Sequence, residues 1–359
     1  MSQWPDTRLL DLFGIEVPIL QAPMAGATGS AMAIEVSNAG GLGSLPCATL
    51  SLEQIRAELQ AFRQASNGPL NVNFFCHTPP QPDPGRAAAW KQALKPYYEE
   101  LGADFEAPTP VSNRAPFDDA SCQLVEAFKP EVVSFHFGLP EASLLARVKA
   151  TGAKVISSAT TVEEALWLER NGCDAIIAMG YEAGGHRGMF LSTDLNSQVG
   201  TFALVPQIVD AVKVPVIAAG GIGDHRGIVA ALALGASAVQ LGTAYLFCPQ
   251  AKVSAFHRQA LNSARESDTA LTNLFTGRPA RGITTRIMDE LGPMSELAPH
   301  FPLAGGALMP LRAISEPCGN SDFSNLWAGQ ALRLGRGQSL SAFELTRKLA
   351  ADTLAQLKR

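Results

Sequence analysis

Short apolar runs alternate with longer stretches of helical periodicity over the first 250 residues, and the last three runs each open directly into glycine. Residues 174–179 lead into Gly180-Tyr181-Glu182-Ala183-Gly184-Gly185-His186-Arg187-Gly188. Residues 214–219 lead into Gly220-Gly221-Ile222-Gly223, and residues 237–241 into Gly242-Thr243-Ala244. An uninterrupted apolar run suits a parallel strand covered on both faces, and parallel strands need a crossover, usually helical, between them. Glycine just past a strand lets the backbone approach a ligand closely. The pattern therefore predicts an α/β protein with one site at the carboxyl ends of its strands.

The expected strands are 17–21, 41–45, 70–76, 131–136, 154–158, 174–179, 214–219 and 237–241. Between them lie predicted helices at 30–38, with Ser30 as N-cap, and at 52–65, with Leu52, Ile55, Leu59 and Phe62 on one face. Further helices fall at 141–150, at 162–170 (capped by Thr161 and stopped by Asn171-Gly172), at 201–212 and at 226–234. Eight such units predict a (β/α)8 TIM barrel, with an open doubly wound sheet as the alternative. In such barrels the loops after strands seven and eight commonly form a phosphate site, and here those loops are Gly220-Gly221 and Gly242-Thr243.

The rhythm lapses twice. After the third strand, 77–130 reads as an insertion, proline-rich at 77–86, with helix-like stretches at 86–101 and 119–128. The barrel accordingly spans 1–250. Residues 251–320, helical at 251–261 and carrying Arg278, Arg281 and Arg286, read as a smaller region covering the barrel mouth. Residues 321–359 read as C-terminal helices, 321–334 and 340–357, packing back on the barrel.

Composition excludes several classes. The net charge is -5, with no basic stripe, so no nucleic-acid partner is expected. No apolar stretch is long enough to span a bilayer, and Met1-Ser2-Gln3-Trp4-Pro5-Asp6 lacks the features of a signal peptide, which points to the cytoplasm. The six cysteines form no C-x-x-C pair and no zinc spacing, so they read as buried reduced thiols.

His186 is the leading catalytic candidate, because glycines flank it on both sides and an imidazole exchanges protons near neutral pH. The opposing reading is a loop histidine that helps a turn, beside a local Glu182–Arg187 ion pair. Strand alternation puts Asn71, Asn73 and Phe75 on one face, and Ser134 and His136 on another. Asn73 is placed to read the polar edge of a flat ligand or to fill the barrel, and His136 reads as a hydrogen-bonded core residue or a second acid–base. His77, His225, His257 and His300 read as surface or structural. Gln21-Ala22-Pro23-Met24 ends the first strand and turns at the mouth, where Met24 offers a polarizable surface. No Walker loop, nucleophilic elbow or glycosidase dyad is present; Glu163 and Glu164 lie on a helix away from the mouth.

Taken together, 21–24, 38–44 (NAGGLGS), 71–75 (NVNFF), 134–138 (SFHFG), 182–188 (EAGGHRG), 218–222 (AAGGI), 240–244 (QLGTA) and 276–282 (TGRPARG) resemble, in order, the FMN-dependent nitronate monooxygenases once called 2-nitropropane dioxygenases, class I. The resemblance implies non-covalent FMN. Gly220, Gly221, Gly242 and Thr243 match phosphate-holding positions. Ala22, Pro23, Met24, Asn73, Met179, Gly184, Gly185, Gln240 and Leu241 match other cofactor positions, and His186 the active-site histidine. It also implies that an alkyl nitronate, or a nitroalkane, is oxidised with oxygen to a carbonyl compound and nitrite. Protonated, His186 would steady the anion; neutral, it would take the α-proton of a nitroalkane.

Two positions depart from the family. Met179 stands where relatives usually carry Gln, and a thioether cannot donate a hydrogen bond to the flavin edge. The stretch 301–312 is apolar where relatives place Tyr and Lys, with Arg312 its only formal charge. Two alternatives stay open at this point: a flavin NAD(P)H:quinone or enoyl reductase on the same barrel, and a flavin-free barrel binding a phosphorylated metabolite.

Overall fold

The computed structural model describes residues 3–112 and 114–358. Met1 and Ser2, part of the segment inspected above for a leader, lie outside them. Eight parallel strands form the central sheet: β1 (Ile19–Gln21), β2 (Gly43–Pro46), β3 (Leu70–Phe75), β4 (Val132–His136), β5 (Lys154–Ala159), β6 (Ala175–Met179), β7 (Val216–Ala219) and β8 (Ala238–Leu241). From β2 to β8 each pairs with its neighbour in chain order, and β1 pairs with β8 in the register Ile19–Val239, Leu20–Gln240, Gln21–Leu241. Between β1 and β2 the ring is drawn together by a Leu20–Leu42 bridge, with Gln21 N donating to Leu42 O at 3.0 Å. The sheet is a nearly closed TIM barrel, not an open doubly wound sheet.

Closure follows from the sequence. Strands β1, β2, β3 and β6 are buried at every position, as parallel strands roofed by helices must be. The one helix missing from the regular series is that after β8, where Thr243–Phe247 forms a single 3-10 turn. The C-terminal helix Ala342–Leu357 packs instead against His225–Ala233 and Ser30–Asn38, and its Thr346 hydroxyl meets Tyr245 Oη at 2.7 Å.

The other irregular parts share a second core. Trp90, Tyr97 and Tyr98 of the segment after β3 pack with Leu274, Phe275, Leu308, Leu311 and Phe323. Trp90 Nε1 donates to Ala304 O at 3.0 Å and Tyr98 Oη to Ala307 O at 2.6 Å, so the two buried polar groups tie the segments together. A small antiparallel sheet stands over the barrel mouth: Thr269–Thr272, Ala280–Ile283 and Leu326–Trp327, with Gly185–His186 added to Ala280–Ile283.

Several local expectations change. Ser30 is the first helical residue and Gly29 the N-cap; Ser30 N instead donates to Glu58 Oε2 at 2.6 Å, a remote carboxylate doing the work of a local cap. The stretch 86–101 is two helices, Pro84–Ala93 and Lys95–Leu101, broken before Pro96. Residues 321–334 are not a helix, because Leu326–Trp327 pairs with the mouth sheet and 328–331 runs on as loop. All six cysteines are free, but Cys318 is exposed. Among the described residues no helix is long and apolar enough to cross a membrane, and no side-chain cluster could hold a metal ion.

Candidate active site

A cavity of about 840 Å³ opens at the carboxyl ends of the strands, beneath the mouth sheet. Ala22, Pro23, Met24, Asn73, Met179, Gly184, Gly185, His186, Gly220, Gly221, Gln240, Gly242 and Thr243 all line it. Leu241 does not: its side chain is fully buried in the barrel core, and its carbonyl accepts from Ala22 N at 2.8 Å. Alternation along β8 explains this, since Gln240 faces the cavity and its neighbour must face away.

At one end the loops after β7 and β8 meet. Gly220 and Gly221 adopt φ +103 and +71, conformations that turn the backbone amides in a way other residues resist. Thr243 Oγ1 accepts from Gly329 N at 2.9 Å, and Gln330 N donates to Glu182 O at 3.0 Å. These two bonds lay 328–331 along the cavity wall, a contribution hidden by the helical reading of that stretch. Gly184 makes the approach possible: a Cβ there would lie 2.6 Å from Ala328 C and Gly329 N. On the opposite wall Asn73 donates to Ser134 O at 3.2 Å and Ser134 Oγ at 3.0 Å. Gln240 Oε1 is buried and has no hydrogen-bond partner among the described residues.

The loop carrying His186 is fixed from below. Arg187, fully buried, donates to Gly180 O at 2.7 Å, Met179 O at 2.9 Å and Gln198 Oε1 at 2.9 Å, capping the end of β6. It makes no ion pair with Glu182, whose carboxylate accepts from Thr201 N and Oγ1, both at 2.9 Å. Glu164 is also buried and receives Phe190 N at 2.6 Å, Leu191 N at 3.2 Å and the Thr160 amide and hydroxyl, both at 2.7 Å. Glu164 is thus an anchor of the loop.

His186 Nε2 lies 2.9 Å from Thr276 Oγ1, which is itself 3.3 Å from Arg278 O. A carbonyl can only accept, so when the Thr276 proton goes to Arg278 O, His186 Nε2 is the donor. That leaves Nδ1 with the lone pair and no hydrogen-bond partner among the described residues. Phe301, Trp327, Phe137 and Phe75 surround the ring at centroid distances of 5.3, 5.7, 6.0 and 6.1 Å. Burial, then the nearby charges of Arg114 and Arg278, hold its pKa well below the usual histidine value, so the imidazole is neutral at pH 7.

His136 is both core residue and cavity wall. Its Nε2 donates to His186 O at 3.1 Å, and its Nδ1 accepts from Ser158 Oγ at 3.2 Å. Burial pushes its pKa down to about 4. His77 and His257 prove buried, not superficial, and desolvation takes each to about 4. Sequence reasoning missed Thr276, Phe301, Trp327 and Arg114. Thr276 lay inside a recognised motif and Phe301 in the apolar stretch 301–312, Trp327 was hidden by the helical reading of 321–334, and Arg114 comes from a segment with no regular pattern.

The family model described as "Nitronate monooxygenase" matches residues 6–352. A protein named nitronate monooxygenase from Pseudomonas aeruginosa is 43% identical over 349 residues, covering 96% of this chain and 98% of that one. Another of that name, from Paraburkholderia phytofirmans, is 41% identical over 96% of this chain and 94% of its own. Among solved structures, nitroalkane oxidase from Streptomyces ansochromogenes superposes with a TM-score of 0.87 at 36% identity, covering 98% of this chain and 99% of that one. FabK from Thermotoga maritima gives 0.73 at 28% identity, with 98% and 97% covered. With matches that span nearly its whole length, the chain belongs to the nitronate monooxygenase family.

Proposed function

We propose that the cavity seats FMN and that an alkyl nitronate is oxidised beside His186. The chain is a flavin-dependent oxidoreductase acting on nitronates or nitroalkanes, and the reductase and flavin-free readings are not favoured. The residues present fit the cofactor. The glycine loops offer open backbone amides for a phosphate, the cavity has the size of a cofactor site, and the lone Gln240 Oε1 is a buried acceptor facing a donor still to be supplied. Gly220, Gly221, Gly242 and Thr243 would hold the phosphate. Ala22, Pro23, Met24, Asn73, Met179, Gly184, Gly185 and Gln240 would bound the rest. In this reading the barrel of residues 1–250 supplies the cofactor seat, while 77–130 and 251–320 jointly supply the substrate wall.

The single observation that carries the reading is the placement of His186 in the same cavity as the two glycine loops. When bound, the flavin would take up the electrons of substrate oxidation and pass them on to oxygen, with a carbonyl compound and nitrite as products. The protein's own part is positional and electrostatic. A neutral His186 with a free Nδ1 lone pair is a proton acceptor, suited to the α-proton of a nitroalkane; a nitronate needs no such step. The anion is instead favoured by the guanidinium charges of Arg114 and Arg278, which repel a proton from His186. The aromatic walls keep water from the reacting carbon and strengthen those charges. Oxygen uptake and nitrite release with ethyl nitronate, compared between wild type and His186→Asn, test the proposal. Flavin-loaded wild type that turns over no nitronate would overturn it.

A further inference from the structure

Three basic side chains line the cavity, and they are not equivalent. Lys252 Nζ lies 3.0 Å from Glu58 Oε1, and Arg312 Nε 2.8 Å from Glu316 Oε1. The Arg114 guanidinium has no ion-pair or hydrogen-bond partner among the described residues, although most of it is withdrawn from solvent. Burial and repulsion from Arg312 both act against its charge. A part-buried guanidinium without a counter-ion is costly, and an anionic ligand would offset that cost.

Its position is built. Thr109 and Pro110 lie close against Gly306, where an added Cβ would stand 2.4 Å from Pro110 O. Phe117 N donates to Phe75 O at 2.7 Å at the end of β3. Between these anchors the His77 ring lies near Arg114 and meets Phe301 edge-on at 4.8 Å. The segment inserted after β3 therefore delivers a cation into the wall around His186, beside the stretch 301–312, which has only the already paired Arg312.

We propose that Arg114 is the residue that recognises the anionic NO2 group of the substrate, positioning a nitronate at His186 and discriminating against the neutral nitroalkane. This rests on the function proposed above. A planar two-oxygen anion matches the fork of a guanidinium, and that of Arg114 has no hydrogen-bond partner among the described residues. Val111 and Met309, both exposed at the cavity edge, offer apolar contact to the alkyl part.

The test uses the flavin-loaded protein and the variants Arg114→Gln and Arg114→Lys. KM for ethyl nitronate should rise about ten- to a hundredfold in Arg114→Gln, with a much smaller change in kcat, and Arg114→Lys should recover part of the loss. Flavin content should stay at the wild-type level in both, which separates this role from a hold on the cofactor. Butanoate, an unreactive anion with two equivalent oxygens, gives an independent reading: titration followed by the flavin absorbance should show affinity falling by a similar factor in Arg114→Gln. A KM within twofold of wild type, Arg114→Lys no better than Arg114→Gln, or unchanged butanoate affinity would each overturn the assignment. Failure of wild type to oxidise nitronates would strike the proposed function alone, because the butanoate titration reads Arg114 without turnover.

Discussion

Replacing Gly184 with alanine should damage the proposed cofactor seat by sterics alone. The new Cβ would sit 2.6 Å from both Ala328 C and Gly329 N, and 3.1 Å from Ala328 Cα. These are backbone atoms with no rotamer to change, so the two loops must separate by the better part of an ångström. Overpacking of this kind costs about 1–3 kcal/mol. The retreating segment also carries Gly329 N to Thr243 Oγ1 and Gln330 N to Glu182 O, and weakening each adds about 1 kcal/mol. Together the loss comes to ~3–5 kcal/mol, centred on the loops that would hold the phosphate. Gly185→Ala is the control. Its φ is +71 but no atom lies within 4 Å of the added Cβ, so only backbone strain of about 1 kcal/mol is expected. Urea denaturation of the flavin-free proteins gives the stability order, and flavin retained after gel filtration gives the effect on the seat. Gly184→Ala should be clearly worse in both. Equal stability of the two variants, or wild-type flavin retention by Gly184→Ala, would refute the reasoning.

Other perturbations reach the same site from different sides. His186→Asn should retain flavin yet lose about 10²–10⁴ in kcat with a nitroalkane substrate, read by nitrite release, because the proposed general base is gone. His136, neutral when folded and titrating near 4, binds its proton near 6.5 when unfolded; between these values the unfolded chain holds more protons, so stability is full above about 6.5 and falls as pH drops toward 4. Moving from pH 7 to pH 5 should cost about 2 kcal/mol through His136, and urea midpoints in the His136→Gln variant should be less sensitive over that range. Glu164→Gln keeps one acceptor oxygen where four donors converge, so a loss of about 2–3 kcal/mol and faster amide exchange at Phe190 and Leu191 are expected.

The barrel could be read from the sequence because its strands bury both faces, and burial leaves a contiguous apolar signature. The glycine loops could be read because Gly220 and Gly221 hold conformations that favour glycine. His186 stood out for the same reason, through its flanking residues. What escaped notice depends on contacts distant in sequence. Leu326–Trp327 is strand only because Ala280–Ile283 lies beside it, so its local sequence suggested helix. Ser30 looked like a cap until Glu58 arrived from the next helix to bind its amide. Arg114 sits in a proline-rich stretch without period, and its significance comes from having no carboxylate partner among the described residues. Leu241 shared a motif with Gln240, but period-two alternation put the two on opposite faces.

Anaerobic mixing of the flavin-loaded protein with ethyl nitronate, followed by the visible absorbance of the flavin, tests the central claim most directly. The expected result is bleaching by the nitronate within the time of turnover, much slowed in Arg114→Gln, with no comparable bleaching by NADH or NADPH. A flavin that ignores the nitronate and is reduced by either nicotinamide would contradict it.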